Sequence, residues 1–211
     1  MVIHRPYDEV LRSWSHVAVL RALLDSNVGL SGNEVGRMSG MQPRSALKAL
    51  SSLEELGIVR RQRGGRDHLF TLNRSHHLVS EGLLPLYGAE ISFQRALEES
   101  LSSILSKRVL SAIIFGSVVR NQETAQSDLD LFCLVKSDKK KEEVRQSLMS
   151  AASALHSRFG VKLAPLFFTV AELKKNLKSP FIKQMLKEGK PLVGELPRGI
   201  ARGQTRKKIA R

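Results

Sequence analysis

Cysteine is almost missing from this chain: Cys133 is its one cysteine in 211 residues. A lone thiol excludes an intrachain disulfide and a cysteine-cluster zinc site, and it suits a reducing compartment. Aromatic residues make up only 5%, with a single tryptophan and two tyrosines, so the cores must be mainly aliphatic. No apolar run approaches the roughly 20 residues of a membrane-spanning helix. Met1-Val2-Ile3-His4-Arg5 leads into a charged helical pattern and lacks the apolar stretch of a signal peptide. The expected location is therefore cytoplasmic. Acid is also short: 20 Asp and Glu face 34 Lys and Arg, a net charge of +14, with a pI near 10.3. Such an excess favours polyanionic partners, either nucleic acid or phosphorylated ligands. What remains is ordinary for a soluble globular protein, with 42% hydrophobic and 26% charged residues. The length holds one large domain or two small ones.

The interior shows no repeat, but its character changes along the chain. Over 7–26, Val10, Leu11, Trp14, Val17, Ala18, Leu20 and Leu24 recur at helical spacing. One helix is expected there, with Trp14 in its core face, stopped by Asn27 and Gly29. Ser31 and Glu34 have capping-box spacing for a second helix. Pro43 opens a third, where its missing N–H costs nothing; its apolar face is Ala46, Leu47, Leu50 and Leu53, and Gly57 ends it. Two short strands, 58–63 and 66–72, flank Gly64-Gly65 and predict a hairpin. Residues 76–106 form a connecting region with a long helix, from which Tyr87, Ile91, Leu97, Leu101, Ile104 and Leu105 are expected to face a core.

Strands and helices then alternate. Strands are expected at 109–115, 128–135 and 161–170. A helix capped by Asp138 presents Val144, Leu148, Ala151, Leu155 and Phe159 and closes at Gly160, and short helices follow over 171–178 and 180–187. This order implies an α/β domain. From Arg198 the chain carries Arg202, Arg206, Lys207, Lys208 and Arg211 and no acid, a basic tail. The expected division is 1–75, 76–106, 107–194 and 195–211.

Three helices followed by a glycine-tipped hairpin resemble the winged helix-turn-helix fold, over roughly 7–73. Leu53-Glu54-Glu55-Leu56-Gly57-Ile58-Val59 is a familiar run in that family. The resemblance implies that 43–56 enters the DNA major groove and that Gln42, Arg44, Ser45 and Lys48 reach base edges. Arg60, Arg61, Arg63 and Arg66 on the wing would meet phosphates or the minor groove. A helical domain used only for protein contacts is the competing reading.

The second motif is Ile113-Ile114-Phe115-Gly116-Ser117-Val118-Val119-Arg120 followed by Ser127-Asp128-Leu129-Asp130-Leu131-Phe132. Glycine at a strand end lets the backbone approach a phosphate, and a helical turn starting there would offer free N–H groups and the Ser117 hydroxyl. Asp128 and Asp130, two residues apart on a strand, project to one side. Such a pair needs a cation, or at least generous hydrogen bonding, and Mg²⁺ with nucleotide phosphates is the natural cation. Gly-Ser, ten residues, then Asp-x-Asp resembles the signature of the DNA polymerase β nucleotidyltransferase superfamily, especially its minimal prokaryotic branch, over roughly 107–194. The resemblance implies an α+β/α/β chain overall, a mixed sheet with flanking helices behind the N-terminal domain. It further implies that Gly116 and Ser117 hold a nucleoside triphosphate and that Asp128 and Asp130 are catalytic and bind one or two Mg²⁺ ions. Arg120 and Ser127 are candidate nucleotide contacts; Asn121 stands where the family often has glycine.

Active members carry a third carboxylate on a later strand. The corresponding stretch 161–170 has none, Glu172 lies past it, and Glu142 and Glu143 belong to a solvent-facing helix pattern. His76-His77 lacks a third ligand, Cys133 alternates within an apolar strand as an inert thiol, and His16, His68 and His156 stand alone. Two functions follow. One is an enzyme transferring a nucleotidyl group to an acceptor hydroxyl, with a winged helix on DNA. In minimal relatives the acceptor can be a HEPN-type toxin, which makes an antitoxin-like role part of this expectation. The other is a transcriptional regulator whose second domain senses nucleotide or is inactive. A homodimer on a palindromic site is expected for either.

Overall fold

The computed structural model describes residues 2–65 and 67–197, and the chain divides into two compact units, 1–92 and 93–211. Arg66 and most of the predicted basic tail, 198–211, lie outside the described residues.

In the first unit the helix expected over 7–26 is two helices, α1 (Pro6–Val10) and α2 (Trp14–Leu24). The break falls at Ser13, whose extended backbone and side-chain oxygen cap α2 by accepting from the His16 N–H. The buried row of α2 is His16, Val19, Leu20 and Leu23. Trp14 is one turn or two from Val17, Ala18 and Arg21 on another face and is 66% exposed, so it is not a core residue. His16 is buried but satisfied, its Nδ1 lying 3.1 Å from the Val10 carbonyl.

A two-residue strand, β1 (Leu30–Ser31), precedes α3 (Gly32–Met38), which has the capping box expected of Ser31 and Glu34. Helix α4 (Pro43–Glu55) starts at proline and buries Ala46, Ala49, Leu50 and Leu53; Leu47 is left on the exposed side. Gly57 takes a φ of 75° and turns the chain into β2 (Val59–Gly64), which pairs antiparallel with β3 (Asp67–Leu72). Strand β1 joins the other edge of β3, giving the order β1-β3-β2. Leu20, Leu23, Val35, Leu50, Leu53, Ile58 and Phe70 share one core. Each large side chain fully removed from water there contributes about 1.5–3 kcal/mol.

A π-helical turn (Val79–Leu83) leads into α5 (Leu84–Leu105). Its buried row Leu97, Leu101, Leu105 repeats every fourth residue. Ile91 falls off that row, about a third of a turn away, and is 63% exposed, contrary to its expected core position.

The second unit is a mixed four-stranded sheet with helices on both faces. Its strands are β4 (Ser111–Phe115), β5 (Leu129–Val135), β6 (Leu163–Thr169) and β7 (Lys190–Val193), ordered β6-β5-β4-β7. Strands β4 and β5 are antiparallel, β5 and β6 parallel, and β7 lies antiparallel on β4. The parallel pair requires a crossover, supplied by α6 (Asp138–Phe159); Ser137, one residue earlier than expected, is its cap. Leu97, Leu101, Leu105, Val144, Leu148 and Leu155 cover one sheet face through Ala112, Ile114, Leu131 and Cys133. Helices α7 (Val170–Asn176) and α8 (Pro180–Glu188) cover the other, where Leu173, Ile182 and Met185 meet Ile113, Phe132 and Leu134. Strand β5 is thus buried on both sides, as its nearly unbroken apolar sequence requires. Strand β7 carries Pro191, acceptable because this is a sheet edge.

Candidate functional site

The two halves of the second motif meet at the end of the β4–β5 pair. Phe115 is opposite Asp130 in the antiparallel register, so Gly116, next along, passes directly over the Asp130 side chain. Gly116 has a φ of 80°. A Cβ built there would fall on the Asp130 carboxylate, 2.9 Å from its Cγ and 3.2 Å from its Cβ. Glycine is required twice, by the backbone angle and by the close approach.

Beyond Gly116 the chain forms a tight turn, not the start of an α-helix. The Ser117 carbonyl accepts from the Arg120 N–H at 3.1 Å and the Gln122 N–H at 2.9 Å, and the Val118 carbonyl accepts from Asn121, whose φ is 52°. Among the described residues no hydrogen bond uses the N–H groups of Ser117, Val118 and Val119 or the Ser117 hydroxyl. Successive unpaired N–H groups in a turn make a concavity suited to an anion.

Asp130 is the one polar residue of β5 and is half-buried; Asp128, just before the strand, is exposed. Burial pushes the Asp130 carboxyl above the usual carboxylate range, the Asp128 charge pushes the same way, and the Arg120 charge opposes them. Two oxygen donors that destabilise each other's charge fit a hard divalent cation. No group of three or more His, Cys, Asp or Glu able to hold a metal occurs among the described residues. In the parallel register Asp130 is paired with Ala164, and the Lys162 carbonyl accepts the Leu129 N–H at 2.7 Å. Lysine just before β6 and alanine on it therefore stand where a third carboxylate would be sought. Glu172 is occupied elsewhere: it completes the α7 capping box with Thr169 and pairs with Lys141 at 2.8 Å, and those contacts hold its carboxyl below the usual range.

Arg120 is exposed, with its Nε 3.1 Å from the Gln122 side-chain oxygen and an Nη1 3.6 Å from Glu188. The Ser127 hydroxyl accepts the Thr124 N–H at 3.0 Å and so braces the loop before the aspartates. Beside Gly116 and Arg120 an open cavity of about 230 Å³ is walled by Phe115, Phe181, Gln184, Met185 and Glu188. Sequence reading passed over the α8 residues. Their signal was available: Ile182 and Met185 take the buried side of that helix, which leaves Phe181, Gln184 and Glu188 on another. Cys133 is fully buried and its thiol is pushed up to about 12 by burial, as an inert core residue should be.

Residues 99–196 match the family model for polymerase beta, nucleotidyltransferase. This part of the chain is a polymerase β-type nucleotidyltransferase domain. A protein of Methanocaldococcus jannaschii, provisionally named a protein adenylyltransferase, is 26% identical over 95 residues, 45% of this chain and 90% of its own length. A chain from the structure of TrmBL2, an archaeal chromatin protein described as showing a novel mode of DNA binding, aligns over 85% of this chain and 73% of its own. That alignment has 15% identity and a TM-score of 0.27, below what a shared fold gives. The nucleotidyltransferase domain so defined contains Gly116, Ser117, Arg120, Ser127, Asp128 and Asp130.

The remaining candidates lie outside the nucleotidyltransferase domain. Gln42 caps α4, and with Arg44, Ser45 and Lys48 it is exposed. A groove of about 720 Å³ runs beside them, lined also by Arg12, Trp14 and Gly40. Arg60, Arg61 and Arg63 project from β2; Arg60 donates to Ser75 at 2.9 Å and Arg61 pairs with Glu54 at 3.1 Å. Arg63 has no ion-pair partner among the described residues.

Proposed function

We propose that the nucleotidyltransferase domain binds a nucleoside triphosphate with Mg²⁺ and transfers its nucleotidyl group to an acceptor hydroxyl, while residues 1–75 form a winged helix that holds DNA. The observation that carries the first part is Gly116 seated on the Asp130 carboxylate. It brings the turn at Ser117 close to Asp130, which supports neighbouring sites for phosphate and cation. Asp128 and Asp130 would hold the metal, which supplies charge neutralisation at the phosphates. The turn at Ser117 receives phosphate oxygens, and Arg120 adds a positive charge. In the transfer an acceptor oxygen bonds to the α-phosphorus, the α–β phosphoanhydride bond breaks, pyrophosphate leaves, and the hydroxyl proton passes to solvent. The name of the Methanocaldococcus jannaschii relative makes a protein hydroxyl the first acceptor to try, a HEPN-type toxin partner among them.

A second reading, a nucleotide-sensing transcriptional regulator, is favoured by Lys162, just before β6, and Ala164, paired with Asp130, where an acid would be sought. Without a third carboxylate the pair would bind nucleotide but activate no acceptor. For the winged helix, the support is the exposed row Gln42, Arg44, Ser45 and Lys48 with Arg60, Arg61 and Arg63 on the neighbouring hairpin, in a chain of net charge +14.

Calorimetric titration of ATP and GTP, with and without Mg²⁺, tests the nucleotide site in the native chain and in Asp128→Asn/Asp130→Asn. Binding that needs both metal and aspartates is expected, and no binding in either protein refutes the reading. Label from α-³²P-ATP appearing on a protein acceptor then separates the enzyme from the sensor.

A further inference from the structure

Resting on the nucleotide reading above, we propose that the cavity between the end of β4 and helix α8 is the nucleobase subsite and that it takes a purine carrying an amino group. The cavity begins where the phosphate turn does, since Gly116 and Arg120 line both. At about 230 Å³ it is smaller than the roughly 300–1,000 Å³ of pockets that swallow a whole drug-sized ligand. It suits one planar ring system whose sugar and phosphates lie outside, along the turn.

The walls are arranged for such a ring. Phe181 is 42% exposed, on a helix that packs its other side into a core. Its ring is held edge-on by Phe115, centroids 5.5 Å apart and planes at 78°, so one wall is a fixed aromatic surface. Met185, buried from the α8 side, closes the floor with a polarisable thioether. The polar groups sit together at one rim. Gln184 Nε2 is 3.3 Å from a Glu188 oxygen, and the same carboxylate lies 3.6 Å from Arg120.

An ionised Glu188 accepts and never donates. A base facing it must present N–H groups. Adenine offers its 6-amino group, and guanine its N1–H and 2-amino group. The Gln184 amide then donates to the neighbouring ring nitrogen or carbonyl. Uracil puts a single N–H between two carbonyls and has less area to stack. Binding also redistributes charge: Arg120, 3.6 Å from Glu188, is released toward the phosphates as the base takes its place at the carboxylate.

The test is calorimetry of the full chain with Mg²⁺ and, separately, ATP, GTP, UTP and inorganic tripolyphosphate, repeated on Phe181→Ala and Glu188→Gln. ATP or GTP is expected to bind about tenfold more tightly than tripolyphosphate, the scale of one base–aromatic stack. Phe181→Ala should erase that advantage and leave tripolyphosphate affinity unchanged, with circular dichroism confirming the fold. Glu188→Gln should narrow the purine preference over UTP. Nucleotides that bind no better than tripolyphosphate, or an unchanged advantage in Phe181→Ala, overturn the base subsite while the phosphate turn stands. Loss of every ligand, tripolyphosphate included, refutes the nucleotide reading itself and this inference with it.

Discussion

Replacing Gly116 by alanine should damage the nucleotidyltransferase domain by two separable routes. The backbone route is the φ of 80°, which costs a residue with a Cβ about 1–2 kcal/mol. The steric route is the new methyl group, placed on the Asp130 carboxylate and 2.9 Å from its Cγ. Forcing an extra carbon into occupied space costs about 1–3 kcal/mol more. Gly116→Ala alone should therefore lose about 2–5 kcal/mol. In an Asp130→Ala background the carboxylate is gone, and the backbone route dominates, with only the milder 3.2 Å approach to the retained Cβ beside it. The same glycine substitution should then cost about 1–2 kcal/mol. The difference, about 1–3 kcal/mol, is the coupling between the two positions. Urea unfolding of the four full-length proteins, followed by circular dichroism, measures it. Equal costs in both backgrounds would mean that the carboxylate is not what the glycine makes room for. The placement of the phosphate turn against the metal pair would then be wrong.

Four further outcomes follow from the same structure. Leu101→Ala empties a fully buried position beneath the mixed sheet and should lower stability by about 2–5 kcal/mol in the same urea assay; a loss near zero would contradict its place in the core. Glu172 is held below the usual carboxylate range by Lys141 and Thr169, so its contribution is complete above 4.5 and is lost as pH falls through its lowered value. Glu172→Gln should flatten stability against pH in that acid window, and an unchanged profile would sink the assignment. The Cys133 thiol, raised from 9.0 to about 12, should resist a thiol reagent in the native chain and react fully in urea. The unfolded thiol ionises first, so stability should fall as pH rises above 9.0, by up to about 1.4 kcal/mol per pH unit, and Cys133→Ala should remove that fall. Finally, Trp14 is the only tryptophan and lines the groove beside Gln42, Ser45 and Lys48. Duplex DNA should change its fluorescence, with an affinity that drops steeply as salt rises; a signal indifferent to both DNA and salt would leave the winged-helix proposal without its ligand.

Local rules were enough wherever one residue decides one contact. The Ser31–Glu34 box, proline at the head of α4, Gly57 and Gly160 at helix ends, and the apolar β5 needed only the neighbouring residues, because caps, turns and burial patterns act over a few positions. The paired motif was legible for the same reason: Gly-Ser and Asp-x-Asp are short, and their chemistry restricts the residue types. Packing decided what periodicity could not. Trp14 and Ile91 fit a helical repeat, yet which row of a helix meets the core depends on the partner element, and both were left outside. Strand β7 is four residues with a proline, too short and too mixed to announce itself; pairing with β4 makes it a strand. The approach of Gly116 to Asp130 joins residues fourteen positions apart and exists only because β4 and β5 lie antiparallel in one register. The cavity at α8 is more distant still, since Phe115 and Phe181 are brought together solely by α8 folding back over the sheet. Local patterns name the chemical groups; which of them share a site depends on strand register and helix packing, which no local pattern encodes.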